Sequence, residues 1–137
     1  MELTARIGAV LEEILPITRE EDGAVTVHHD GTFASLRVVT IAEGLEMVSL
    51  TQVVAWDLPL DAKLRASVAR HAHNTLVGTV SLAEKAGQST AKRNAKKTGD
   101  VLLRYNFPAA GLSDEALRTL ILMVLATGAD VRRDLTS

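Results

Sequence analysis

Leu45-Glu46-Met47-Val48-Ser49-Leu50-Thr51-Gln52-Val53-Val54-Ala55-Trp56 is the stretch on which the fold turns. Its β-branched and aliphatic residues, preceded by Glu43-Gly44 and followed by Pro59, read as one long strand. Successive strand side chains point to opposite faces. Leu45, Met47 and Val53 therefore share one face, and Val48, Leu50, Val54 and Trp56 share the other. A strand with one solvated face is apolar on one side only. Here both sides are partly apolar, so something covers or visits the second face.

Upstream, Val25 and Val27 alternate with Thr26 and His28 and run into Asp30-Gly31, a strong two-residue hairpin signal. The run from Phe33 to Ile41 leads to the turn at Glu43-Gly44. These segments and the Leu45–Trp56 strand make a three-strand antiparallel meander. Before it, residues 2–15 place Leu3, Ile7, Val10, Leu11 and Ile14 on one helical stripe, which Pro16 ends.

Downstream, Pro59 and Asp61 open a second helix that reaches Asn74. A fourth strand follows, with Leu76, Val80 and Leu82 opposite Thr79 and Ser81. A polar loop spans 87–99. In a fifth strand Val101, Leu103, Tyr105 and Phe107 alternate with Arg104 and Asn106. After Pro108 and Gly111, Ser113 is placed as an N-cap, with Asp114 and Glu115 in the first turn. The last helix carries Leu117, Leu120, Ile121, Leu122, Met123, Val124 and Leu125 around most of its circumference. It should be covered on more than one side, and should end at Gly128. The expected chain is a single α+β domain over 1–137, a five-stranded antiparallel sheet with three helices in the order α-β-β-β-α-β-β-α.

With no cysteine among 137 residues, disulfides, thiolate catalysis and Cys-based metal sites are excluded. The charged fraction of 23% against 47% hydrophobic fits a globular domain and not a disordered one. No apolar run approaches the ~20 residues of a membrane span. The acidic N-terminal stretch lacks a signal-peptide layout, so a cytoplasmic protein is expected. Net charge is −7 over residues 1–60 and +5 over 61–137, a polarity able to steer association.

The element order is similar to that of the type III secretion chaperone-like fold, which includes YbjN-related proteins. Leu102-Leu103-Arg104-Tyr105-Asn106-Phe107-Pro108-Ala109-Ala110-Gly111-Leu112-Ser113-Asp114-Glu115-Ala116-Leu117 resembles YbjN-like sequences: a strand ending in aromatics, a Pro/Gly turn and an acid-capped helix. The resemblance implies a homodimer that binds extended peptide segments of a client, or a regulatory protein descended from one, and implies no cofactor.

Few constellations point to chemistry. His28 and His29 are strand neighbours on opposite faces, and His71 and His73 lie about 200° apart on a helix, so neither pair is arranged to share a metal ion. Asp57, Asp61 and Asp100 form no spacing that marks an acid–base pair. The glycines make no phosphate-binding pattern. Lys92, Arg93, Lys96 and Lys97 form a basic cluster without the aromatic residues or recognition helix of a nucleic-acid module. No catalytic, metal or cofactor residue is assigned.

Two surfaces remain as candidates. Val48, Leu50, Val54 and Trp56 are a candidate partner groove, with tryptophan as anchor. Ala62, Ala66, Ala69 and His73 are a candidate dimer face on the second helix, opposite Leu60, Leu64, Val68 and Ala72. The expected function is a non-enzymatic protein- or peptide-binding module, homodimeric in the sense the resemblance implies, acting on a protein or peptide client. The alternative is a small-molecule-binding or enzymatic domain with its site between the sheet and the last helix.

Overall fold

Asp30 and Gly31 take φ values of 46° and 80°. Two left-handed residues in succession form the hairpin turn whose twist matches that of its strands. They join β2 (Val25–His29) to β3 (Thr32–Ala42), with His29 opposite Thr32 and Val25 opposite Leu36. A second turn leads into β4 (Leu45–Pro59), placing Phe33 opposite Val53 and Val39 opposite Met47. The expected meander is thus present in the computed structural model, which describes residues 2–85 and 97–137.

Around it lie α1 (Leu3–Glu12) and β1 (Ile17–Arg19) upstream, and α2 (Ala62–Asn74), β5 (Thr79–Lys85), β6 (Thr98–Pro108) and α3 (Asp114–Thr136) downstream. The sheet is antiparallel, in the order β1-β2-β3-β4-β6-β5. It has six strands where five were expected. The additional one is β1, whose three residues pair with Val25–Val27. A segment that short, between Pro16 and the acids Glu20, Glu21 and Asp22, shows no period.

Several boundaries also differ. α1 ends at Glu12, leaving Ile14 exposed. β5 starts at Thr79, and Leu76 is almost fully solvated before it. Thr98 and Gly99 belong to β6 and not to the loop. Lys92, Arg93 and Lys96 lie outside the described residues, while the Lys97 carbonyl accepts a hydrogen bond from Leu60 N. Ser113 caps α3 as expected, accepting from Ala116 N at 3.1 Å, and Asp61, expected at the start of α2, is its N-cap, accepting from Leu64 N at 2.7 Å.

All three helices contribute to one core against one face of the sheet. Val27, Ala34, Gln52, Leu103 and Val80 form one register row across the strands, and Val25, Leu36, Leu50 and Tyr105 form the next. Leu3, Ile7 and Leu11 of α1, Leu64 and Val68 of α2, and Leu117, Ile121, Val124 and Leu125 of α3 close over these rows. α3 is not sheathed on several sides: Leu120 and Leu122 are half-buried and Met123 is exposed. Among the described residues, no helix is long and apolar enough to cross a membrane.

Gly128 does not terminate α3, which runs eight residues further. It sits where α3 crosses Gln52, and a Cβ there would overlap the Gln52 amide. Gln52 is fully buried. Its Nε2 donates to Thr32 Oγ1 at 2.9 Å and to the Leu125 carbonyl at 3.1 Å. Thr32 Oγ1 in turn donates to the His29 carbonyl at 2.6 Å. Glycine is used here for close approach, and the helix continues because its i to i−4 bonds do not depend on a side chain.

Candidate functional site

The sheet has a second face, and none of the helices among the described residues lies on it. The register builds it from four rows across β3, β4 and β6. Phe33, Val53 and Leu102 make the first; Ser35, Thr51 and Arg104 the second; Arg37, Ser49 and Asn106 the third; Val39, Met47 and Pro108 the fourth. Apolar rows thus bracket two polar ones. Among the described residues eight large hydrophobic side chains are exposed, and five of them, Phe33, Val39, Ile41, Leu45 and Trp56, lie in β3 and β4. Such a concentration on one surface marks an interaction site more often than scattered exposure does.

Trp56 reaches this face because β4 is irregular. Val53 pairs with Leu102 but Ala55 with Val101, so one extra residue is inserted at Val54. Val54 and Ala55 are consequently both buried, and Trp56 after them falls on the open side. Trp56, 43% exposed, turns to the ring of Phe33 at a centroid distance of 5.9 Å. β3 pairs with β4 no further than Val53 at this end. The carbonyl of Val54 is met instead by Arg132 Nη1 from α3, at 2.9 Å. The Arg132 guanidinium also lies 4.9 Å from the centre of the Trp56 ring, within cation–π range. An open depression of about 520 Å³ borders this corner, lined by Pro16, His28, His29, Thr32, Phe33 and Trp56.

The expected partner groove is therefore divided. Val48, Leu50 and Val54 have no exposed surface and belong to the core, because α1 and α3 cover the face they share. Only Trp56 is accessible, on the other side. Leu45, Met47 and Val53, assigned by sequence to the second face, do lie on the open side. The alanine face is placed as expected on the wheel: Ala62, Ala66, Ala69 and His73 are all exposed. Ala72 is exposed too, leaving Leu64 and Val68 to seat α2. The space between the sheet and α3 is filled by Leu50, Gln52, Ile121 and Leu125, each without solvent exposure.

Charges at the rim are mostly paired. Arg37 bonds Asp22 at 2.5 Å, and this bond, with the Ala24 N–H, holds the Asp22 carboxyl below its ordinary range. Lys85 meets Asp100 and Asp57, each at 3.0 Å, and these carboxylates push its ammonium upward. Between α2 and α3, His71 Nε2 and Arg70 Nη2 converge on Asp134 Oδ2 at 2.7 and 2.9 Å. The His71 bond, then that of Arg70, draws the Asp134 carboxyl below its ordinary value. His28 is exposed beside Phe33 in the register, while His29 is half-buried on the opposite side. Among the described residues no three His, Asp or Glu side chains converge as a metal site would require.

Phe33 and Arg132 were not among the residues singled out from sequence. Phe33 carries a signal, since it opens the strand after the Asp30-Gly31 turn in phase with Ser35 and Arg37. Arg132 carries none, because it lies 78 residues from its partner Val54. No protein-family model, curated protein or solved structure matches the chain.

Proposed function

We propose that the chain is a non-enzymatic protein- or peptide-binding module, YbjN-like or chaperone-like in class, and that its working surface is the helix-free face of the sheet. The observation that carries this reading is the pair of apolar rows, Phe33/Val53/Leu102 and Val39/Met47/Pro108, left uncovered by the helices among the described residues. A sheet face of this kind gains from burial against a partner at roughly 25 cal/mol per Å² of apolar surface. Trp56, with its ring tilted against Phe33 and the Arg132 guanidinium over it, is a preordered aromatic anchor at its edge. Further support comes from the resemblance of Leu102–Leu117 and from the helix–meander–helix–two-strand–helix order, here with β1 added.

Selection of extended peptides from a random library on the immobilised chain tests the reading. Binding of the selected peptides should weaken at least ten-fold on Val53→Glu or Phe33→Glu. Peptides that bind both variants as well as the original chain would place recognition elsewhere.

A further inference from the structure

We propose that the partner on the helix-free sheet face is a second copy of this chain, packed sheet on sheet about a two-fold axis. This inference rests on the reading of that face as a protein-binding surface, and goes further by naming the occupant. Its basis is the order of residues on the face. Read along each central strand, the outward side chains run apolar, polar, polar, apolar: Phe33, Ser35, Arg37, Val39 on β3; Val53, Thr51, Ser49, Met47 on β4; Leu102, Arg104, Asn106, Pro108 on β6. The pattern reads the same in both directions.

A two-fold axis lying between the sheets, across the strands and midway between the polar rows, superposes each row on its mirror row. Phe33 then faces the partner's Val39, Val53 the partner's Met47, and Leu102 the partner's Pro108. Ser35 faces the partner's Arg37, Thr51 the partner's Ser49, and Arg104 the partner's Asn106. Every apolar side chain meets an apolar one. Each arginine meets a neutral hydrogen-bonding group and neither meets an arginine, so the like-charge cost that opposes many self-pairings is absent. An axis along β4 gives the same matching of classes. An isologous contact requires this self-complementarity, and an arbitrary partner does not produce it.

The area suffices. About eight residues of each of the three central strands, with the shorter β1, β2 and β5 beside them, give a face of roughly 600 Å² per copy at about 4.8 Å spacing and about 3.3 Å rise. That exceeds the roughly 500 Å² per partner at which specific interfaces begin. Aligned sheets pack about 10 Å apart, a gap the small Ser35, Ser49 and Thr51 leave open for the arginines.

Sedimentation of the purified chain at tens of micromolar should give twice the chain mass. Val53→Glu, and independently Val39→Glu at an already exposed position, should give folded monomers with unchanged circular dichroism. Since the chain has no cysteine, Ser49→Cys treated with a short bismaleimide should form a covalent dimer, whereas Ala66→Cys on α2 should not. A monomeric wild type overturns the proposal, as does dissociation by Ala66→Glu with no effect of Val53→Glu or Val39→Glu. If Ser49→Cys instead cross-links in cell extract to a chain of different mass, self-pairing is wrong but the protein-binding reading stands. If it forms no adduct in either setting, both fail.

Discussion

Replacing Gly128 with alanine should destabilise the fold, although alanine is the better helix former. In an exposed helix interior the change would contribute about 1 kcal/mol of stability. At Gly128 the new methyl would overlap the Gln52 amide, whose Nε2 bonds Thr32 and the Leu125 carbonyl. To relieve the overlap, either α3 lifts from the sheet or Gln52 changes rotamer. A rotamer change loses two buried hydrogen bonds, about 1 kcal/mol each. Overpacking of the surrounding core adds about 1–3 kcal/mol. After the helix gain is subtracted, a net loss of about 2–4 kcal/mol is expected. For a domain of this size that lowers Tm by roughly 8–15 °C. Urea and thermal unfolding followed by circular dichroism measure it. The sharper check is a double-mutant cycle, because in a Gln52→Ala background the methyl has room and Gly128→Ala should be neutral or stabilising. An equally stable or more stable Gly128→Ala single variant would refute the account of why glycine stands there.

Asp61→Ala removes the side-chain acceptor for Leu64 N and should cost about 1 kcal/mol in urea unfolding; an unchanged midpoint would mean that α2 draws nothing from its cap. The Asp134 carboxyl, held below its ordinary value of 3.8 by His71 and Arg70, contributes stability that is present above the unfolded value and is lost as pH falls through the lower folded value. Asp134→Asn should therefore flatten the fall in Tm below about pH 4 while leaving the fold intact; an acid limb of unchanged slope would show that the contact adds nothing to the docking of α2.

The meander was readable because its signals are local. Asp30-Gly31 can hardly be other than a tight turn, and the alternation in β2 and β3 follows from one buried face. Ser113 was readable as a cap, and Asp61 as the start of a helix, for the same reason, since both are decided within four residues. What escaped depends on residues distant in the chain. β1 exists only because Val25–Val27 offers it a ladder. Gly128 looked like a helix end, and only the crossing of Gln52, 76 positions earlier, makes it a contact point instead. Met123 looked like core because sequence shows which residues on a helix are apolar, not how wide a face the sheet can cover.

The misplacement of Trp56 shows where strand alternation stops being a guide. Counting by twos from Val48 assigns it to the core, and the count is correct as far as Val54. One inserted residue then reverses the alternation at Trp56, until a second shift before Leu58 returns that side chain to the core side. The insertion has a physical reason at each step. Beyond Val53, β4 has lost β3 as a partner but is still held by β6, so its free carbonyl at Val54 needs a donor, which Arg132 supplies from the helix layer. An arginine that reaches that carbonyl passes the end of β3 and brings its guanidinium to the open side, where an aromatic ring stacks favourably on it. The bulge, the shorter neighbouring strand and the arginine are thus one arrangement. Its consequence is that the largest side chain of the protein lies beside Phe33 on the face that lacks a helix, and not among the residues that one covers.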